Sequence, residues 1–298
     1  MAALISSDFE IPAEISAGIF EKAQKGSTLA QLSGARPQKF GKQQVWVLTA
    51  PPKAEIVSEG GEKSPTPTSY ATKTVNPIKL QVTMRFSQEV KWADEDTQIG
   101  VLQDLASNAG IALGRALDLV GIHKINPLTG TVSSLVKEGL VDTTQSVTVA
   151  EAKYDEAIEA AAGMVISAGY TPSGIAMDPT LSFGLSTMRD TTGRKIYPEL
   201  GFGQNLSNFA GMNAAVSDTV SAKNEITTPS KILGITGQFD AFRWGVQRSI
   251  SAHLIEFGDP DGLGDLQRLN QIAIRSEIVY GIGIMDSKAF TKILAASE

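Results

Sequence analysis

Apolar and polar positions alternate most cleanly between Ile78 and Phe86, where Ile78, Leu80, Val82, Met84 and Phe86 interleave with Lys79, Gln81, Thr83 and Arg85. A period of two predicts a strand with one sheltered face. Upstream, a second β-patterned arm begins at Val45-Trp46-Val47-Leu48, bends at Pro51-Pro52 and resumes through Glu55-Ile56-Val57. It reaches a tip at Glu59-Gly60-Gly61-Glu62-Lys63, followed by Ser64, Pro65, Thr66 and Pro67. The glycines supply a reversal and the prolines stop the tip from pairing further, so Val45 to Glu89 is expected to form a long hairpin. Two strands alone are marginal in water. The hairpin must therefore fold back on its own domain or lean on another one, and the pattern leaves both open.

The pattern then changes to helical spacing. Ile99, Leu102, Leu105, Ala106, Ala109, Leu113, Ala116, Leu117 and Val120 predict a helix from Asp94 to Val120, with Asp94, Glu95 and Asp96 at its N-terminal dipole and Gly121 as its stop. At roughly 27 residues it would span about 40 Å. A second helix is expected from a capping box, Thr148 with Glu151, to Ser167 before Gly169. A third is expected from Asp178-Pro179, burying Leu181, Leu185 and Met188, with a polar turn from Arg189 to Arg194 after it. Phe239 to Phe257 and Leu269 to Ile284 read as two long strands around an Asp259 to Asp265 turn. Residues 1 to 44 are polar and broken, with a short helix expected from Pro12 to Lys25, and read as an arm.

Composition narrows the function classes. The chain has 298 residues and no cysteine, which removes disulfides, thiolate metal sites and cysteine nucleophiles and leaves packing or assembly to supply stability. No apolar run of membrane-spanning length and no secretory start are expected, which points to folding in a cytosol. The net charge is −6, and residues 1 to 86 carry 10 basic and 7 acidic side chains against 16 and 25 in the remainder. An acidic body without a basic stripe argues against tight nucleic-acid binding.

Candidate chemistry is sparse. Ser134-Leu135-Val136-Lys137 matches the Ser-x-x-Lys of serine acyl-transfer enzymes, but its companion elements are missing apart from a partial echo at Ser217-Asp218-Thr219. Asp259, Asp261 and Asp265 with Gly262 and Gly264 resemble fragments of a calcium loop without its terminal Glu, and a strand-connecting loop is the simpler reading. His123 and His253 are too few for a triad or zinc site and read as structural. Gly281-Ile282-Gly283 has no following helix to cradle a phosphate. Glu151, Asp155, Glu156 and Glu159 read as the wet face of a helix. No catalytic, cofactor-binding or metal residue is assigned.

The order of elements is more telling than any of these motifs. Ala54 to Gly60 with Lys63, Phe86-Ser87-Gln88-Glu89, Met177-Asp178-Pro179 with Leu185, Arg189-Asp190, Gly193-Arg194, Tyr197 and Pro198, Gln271 to Arg275, and Asp286 to Phe290 follow one another as in the major capsid proteins of tailed bacteriophages. The chain resembles that family, the Hong Kong 97-like fold, over most of residues 20 to 294. The resemblance implies an α+β architecture: an N-terminal arm (1–44), an extended β-hairpin loop (45–86), a peripheral domain with a long spine helix and long strands (87–146 and 237–280), and an axial domain (147–236 and 281–298).

It further implies hexamers and pentamers closing an icosahedral shell around double-stranded DNA, held without sequence-specific binding. The expected partners are the chain itself, a separate scaffold protein, a portal and a decoration protein, with assembly in the host bacterial cytoplasm and no membrane. The loop tip, Glu59, Gly60, Gly61, Glu62 and Lys63, is the expected intersubunit contact. The type member links subunits through a loop Lys and a peripheral-domain Asn. The Asp259 to Asp265 turn has no Asn, Asn270 being the nearest downstream, so non-covalent locking or a separate cement protein is expected. An encapsulin shell is the nearest alternative, and a serine acyl-transfer enzyme or an isolated DNA-binding module are the more distant ones.

Overall fold

The computed structural model describes residues 26–39, 41–50, 52–66, 68–92, 95–151, 153–200, 206–228 and 230–296; the helix expected from Pro12 to Lys25 lies outside them. A short helix α1 (Thr28–Leu32) leads through an extended segment into β1 (Gln43–Ala50), and β2 (Ser69–Ser87) follows the loop. Helix α2 (Glu95–Asp118) passes into a π turn at Leu119–His123. Then come β3 (Ser146–Thr148), α3 (Tyr154–Ser167), β4 (Gly174–Met177), α4 (Pro179–Thr187), β5 (Asn208–Phe209), β6 (Met212–Val216), β7 (Ile232–Gly237), β8 (Phe242–Ile255), β9 (Gln271–Ile284) and β10 (Phe290–Leu294).

These strands form two sheets, one ordered β1-β2-β9-β8 and one ordered β3-β10-β7-β4-β6-β5. The first is antiparallel throughout, and β2 is its organising strand. Gln43 to Leu48 of β1 pair with Val75 back to Tyr70, whereas Asn76 to Ser87 pair with β9 on the other edge. Pro77, which has no N–H to give a ladder, stands where β2 changes partner. The half of the hairpin that would be marginal alone is thus a continuation of a strand already locked into the sheet. Ile78 is buried, and Leu80, Val82 and Met84 pack against the core. The polar face of β2 is not simply wet: Lys79 pairs with Glu277 at 2.8 Å, and Arg275 Nε donates to Thr83 Oγ1 at 3.0 Å.

Helix α2 lies over this sheet with Leu113, Leu117 and Val120 in the core beside Trp244 and Tyr280, whose rings meet edge to face at 6.2 Å. By length and composition Gly100–His123 could cross a membrane, contrary to the expectation from sequence. Most of its apolar residues instead face the protein core, and 61% of its 18-residue apolar window is buried there. Gly121 does not end the helix as expected. The turn runs on to Lys124, which takes the left-handed conformation at φ 60°, and a Cβ on Gly121 would meet Leu29 Cδ1 at 2.6 Å. That glycine admits α1 rather than terminating α2.

The second sheet carries α3 and α4 on its face, with Ile158, Val165, Met177, Leu181, Leu185 and Ile293 between them. Helix α4 starts as expected: Asp178 accepts from the Thr180 N–H at 2.7 Å, with Pro179 next. Helix α3 does not. Thr148 ends β3, which pairs with β10, and Glu151 has φ 49°, so the helix begins only at Tyr154. Strand pairing has overridden the capping box. The two sheets are joined by short crossovers at one corner, where Phe239 and Phe290 meet edge to face at 5.6 Å.

Residues 27 to 33 are built into this core through one side chain. Asp118, fully buried at the end of α2, accepts from Ser27 Oγ (2.5 Å), the Thr28 N–H (2.8 Å), Thr28 Oγ1 (2.9 Å), the Leu29 N–H (3.0 Å) and Thr219 Oγ1 (2.7 Å). Burial pushes its pKa up, and these donors oppose the shift. Beyond α1 the chain crosses β8 and β9 as a strap. The Arg36 N–H donates to Trp244 O at 2.9 Å, and Trp244 Nε1 donates to Ser33 O at 3.0 Å. The strap can lie so close because β8 has a glycine beneath it; a Cβ on Gly245 would stand 1.8 Å from Arg36 O.

Replacing Asp118 with Ala strands several buried donors at once, so Asp118→Ala is expected to cost about 3–5 kcal/mol in chemical denaturation of the subunit. It should also open residues 26 to 42 to limited proteolysis. His123 gives a pH signature. Its Nε2 faces Val220 O at 2.9 Å and Thr219 O at 3.2 Å, both acceptors, so that nitrogen carries the proton in the neutral ring. Burial holds its pKa below the ordinary value. The unfolded chain therefore takes up a proton at about 6.5 before the folded one does, and stability present above that pH is lost as pH falls toward the folded pKa. The native protein should lose more stability than His123→Gln between about pH 7.5 and pH 5. Asp118, present in both, cancels in the comparison, and equal losses would refute the assignment.

Candidate functional site

The loop between β1 and β2 is where the fold turns outward. Every described residue from 52 to 66 is exposed, Ile56 completely. The loop nevertheless has an internal order. The Gly61 N–H donates to Ser58 O at 2.9 Å around Gly60, which takes φ 78°, and Glu55 accepts from the Ser64 N–H at 3.3 Å and Ser64 Oγ at 3.1 Å. Positive φ favours glycine there. The tip residues Glu59, Gly60, Gly61, Glu62 and Lys63 are therefore brought together as one exposed turn. No ion pair forms at the tip among the described residues.

Below the tip the two arms carry an apolar stripe on an open face. Trp46 is 73% exposed, Tyr70 57% and Leu48 44%, and the Trp46 and Tyr70 rings meet edge to face at 6.1 Å. The register explains the grouping, since Leu48 stands opposite Tyr70 and Trp46 opposite Thr72. The stripe was not singled out from the sequence, although Trp46 and Tyr70 lie in β-patterned arms. Its signal is an apolar face that nothing among the described residues covers, and large apolar surface of that kind marks contact sites.

The other candidate residues are dispersed or already engaged. Ser134 and Lys137 are both exposed around a turn, and among the described residues no hydrogen bond joins them. The Asp259 to Asp265 turn is a strand-connecting loop clamped by Arg85, whose side chain is only 10% exposed. Its guanidinium donates to Asp259 Oδ1 at 3.0 Å, to both oxygens of Asp261 and to Gly264 O at 2.9 Å. Asp259 also accepts from the Gly262 and Gly264 N–H groups at 2.8 and 3.1 Å. Arg85 holds the Asp261 carboxyl below the usual carboxylate range. Carboxylates occupied in this way do not form a calcium loop, and among the described residues no acidic or histidine cluster is arranged to hold a metal. His253 is exposed on β8, far in type from buried His123. Asp155 is not purely on a wet face, since it accepts from Tyr197 OH at 3.2 Å.

The fold thus combines an outward loop, a long helix over an antiparallel sheet and a second, mixed sheet. A family model described as the phage capsid family matches residues 8–294. The chain belongs to the phage capsid family. A solved structure from Mycobacterium phage Ogopogo is 49% identical, with a TM-score of 0.82, covering 99% of this chain and 100% of that one. One from Gordonia phage Cozz is 30% identical, with a TM-score of 0.79 and coverage of 91% and 87%. The capsid of a native GTA particle, at 13% identity and a TM-score of 0.65 over 100% and 94%, shares the fold. No curated protein matches the chain.

This phage capsid protein has the Hong Kong 97-like fold and is a major capsid protein, the building block of an icosahedral shell in the virion. The encapsulin, acyl-transfer and DNA-binding readings are not favoured. Because Arg85 ties β2 to the 259–265 turn at three acceptor groups, Arg85→Ala is expected to speed amide hydrogen exchange in residues 257 to 270 while leaving exchange in α3 and α4 unchanged. Uniform acceleration across the chain would contradict a local clamp.

Proposed function

We propose that the loop is an intersubunit strap, and that the subunit builds hexamers and pentamers whose shell encloses double-stranded DNA without reading its sequence. The observation that carries this reading is the hairpin itself: a strand anchored in its own sheet runs on into an arm with an uncovered aromatic stripe and a fully exposed, ordered tip. Trp and Tyr side chains each bring ~150–250 Å² of surface. Covering the exposed parts of Trp46 and Tyr70 at ~25 cal/mol per Å² is worth on the order of 5 kcal/mol before the costs of association. Repeated around a closed ring, that is enough to hold a shell together without covalent links.

The division into arm, loop, peripheral and axial parts follows from this reading, with the four-stranded sheet and α2 as the peripheral body and the six-stranded sheet with α3 and α4 as the axial one. A separate scaffold protein, a portal and a decoration protein are its partners, and assembly takes place in the host bacterial cytoplasm. The role is mechanical rather than catalytic, which membership of the phage capsid family supports. The acidic balance of residues 87 to 298 suits a container that must hold DNA without gripping it.

Deleting Ser58 to Thr68 should leave a folded subunit that forms no stable shell; normal particles from the deletion, by negative-stain microscopy, would sink the strap reading. The paired change Trp46→Ser and Tyr70→Ser should move the unfolding free energy of the isolated subunit by no more than about 0.5 kcal/mol and still reduce particle yield sharply. Assembled particles are expected to run as single chains on denaturing gels, and ladders of linked subunits would refute non-covalent locking.

A further inference from the structure

At the root of the loop a cleft of about 800 Å³ opens between the strap, the first rungs of the hairpin and the turn that follows α2. Its floor includes Ile78 and Val136, and its walls bring together Lys42, Lys73, Lys137 and Glu138. Lys73 Nζ is 3.3 Å from Glu138 Oε1. Lys42 and Lys137 are exposed and have no ion pair among the described residues. The cleft thus presents three ammonium groups and one carboxylate around an apolar floor. Its volume lies within the ~300–1,000 Å³ of sites that enclose a compact ligand.

We propose that this cleft receives the loop tip of another copy of the chain, with Glu59 and Glu62 directed to Lys42 and Lys137 and Lys63 directed to Glu138. The proposal rests on the strap reading above and names its receptor. Charges match in both signs, because the tip offers two carboxylates and one ammonium in five residues and the cleft offers their complements. The tip is ordered beforehand by the Ser58–Gly61 and Glu55–Ser64 bonds, which lowers the entropy lost on docking. Two glycines keep its crown narrow enough to approach a floor.

A copy cannot fill its own cleft. The cleft lies where β1 begins, at the Gln43–Val75 end of the hairpin, and the eight residues of β1 alone carry the chain about 25 Å away from it. A nucleic-acid backbone is the competing occupant for a lysine-lined cleft. Glu138 within the wall opposes a phosphate but suits Lys63, which favours the protein partner.

The absence of cysteine from the chain makes the test clean. Particles assembled from a variant carrying Glu62→Cys and Lys137→Cys, after mild oxidation, should run as linked multimers on a non-reducing denaturing gel and return to monomers with reductant. Each single variant should stay monomeric. Intact particles of the double variant that still run as monomers would overturn the cleft assignment. If the Ser58 to Thr68 deletion nonetheless abolishes particles, the strap reading survives and only its receptor is wrong. Charge exchange gives an independent check: Glu59→Lys with Glu62→Lys should lose particles, and adding Lys42→Glu with Lys137→Glu should restore them. Particles of Lys42→Gln with Lys137→Gln that form normally but package less nucleic acid would assign the cleft to the genome and refute the proposal.

Discussion

The architecture depends on one strand being shared between two pairings. The nineteen residues of β2 spend their second half inside a four-stranded sheet, between β9 and the core beneath α2, and their first half holding β1 beyond the reach of that sheet. A free two-stranded ribbon would fray in water. Here it inherits its stiffness from a ladder that is antiparallel along twelve residue pairs, Asn76–Ile282 to Ser87–Gln271. Whatever force a neighbour exerts on the loop is therefore delivered directly to the sheet and to the spine helix lying on it.

The same logic holds at the other end of the hairpin. Strand β1 begins where the strap leaves β8, and the strap is fixed by α1, whose backbone donors converge on Asp118 together with the Thr219 hydroxyl. The position of the loop root is thus set by a buried carboxylate at the end of the spine helix and by a sheet surface stripped of side chains at Gly245. Neither is a contact with the loop. Both restrict where it can point, and Arg85 fixes the far end of β2 against the 259–265 turn in the same indirect way.

Much of this was readable in the sequence because period and order survive without coordinates. The alternation from Ile78 to Phe86, the Asp178-Pro179 start, the long strand ending at Ile284 and the Gly60-Gly61 tip report local physics that tertiary packing did not override. The failures share a cause. Gly121 signals a helix stop locally, but its missing Cβ serves a contact with Leu29, ninety-two positions away. Thr148 with Glu151 is a good local cap, yet Thr148 is claimed by β10. Ser27 and Thr28 carry no apolar pattern, so a segment held by a distant carboxylate reads as a loose arm. The apolar composition of Gly100–His123 is likewise ambiguous until its partners are known. For the loop, sequence named the tip but not the Trp46 and Tyr70 stripe or the lysine cleft, since both depend on which residues the register sets side by side.

The strap also fixes an order of events in time. Its partners are Asp118, 91 residues from Ser27, and Trp244, 211 residues from Ser33. Contacts of such separation form late, because the entropy of closing the intervening loop must be met before they contribute. The strap is N-terminal to both partners and so is made before them, yet on this ground it is among the last segments to dock. Since the loop root takes its direction from that strap, a half-folded subunit carries a hairpin that is not yet aimed. The aim of the hairpin is thus among the last things that the folding of the subunit sets.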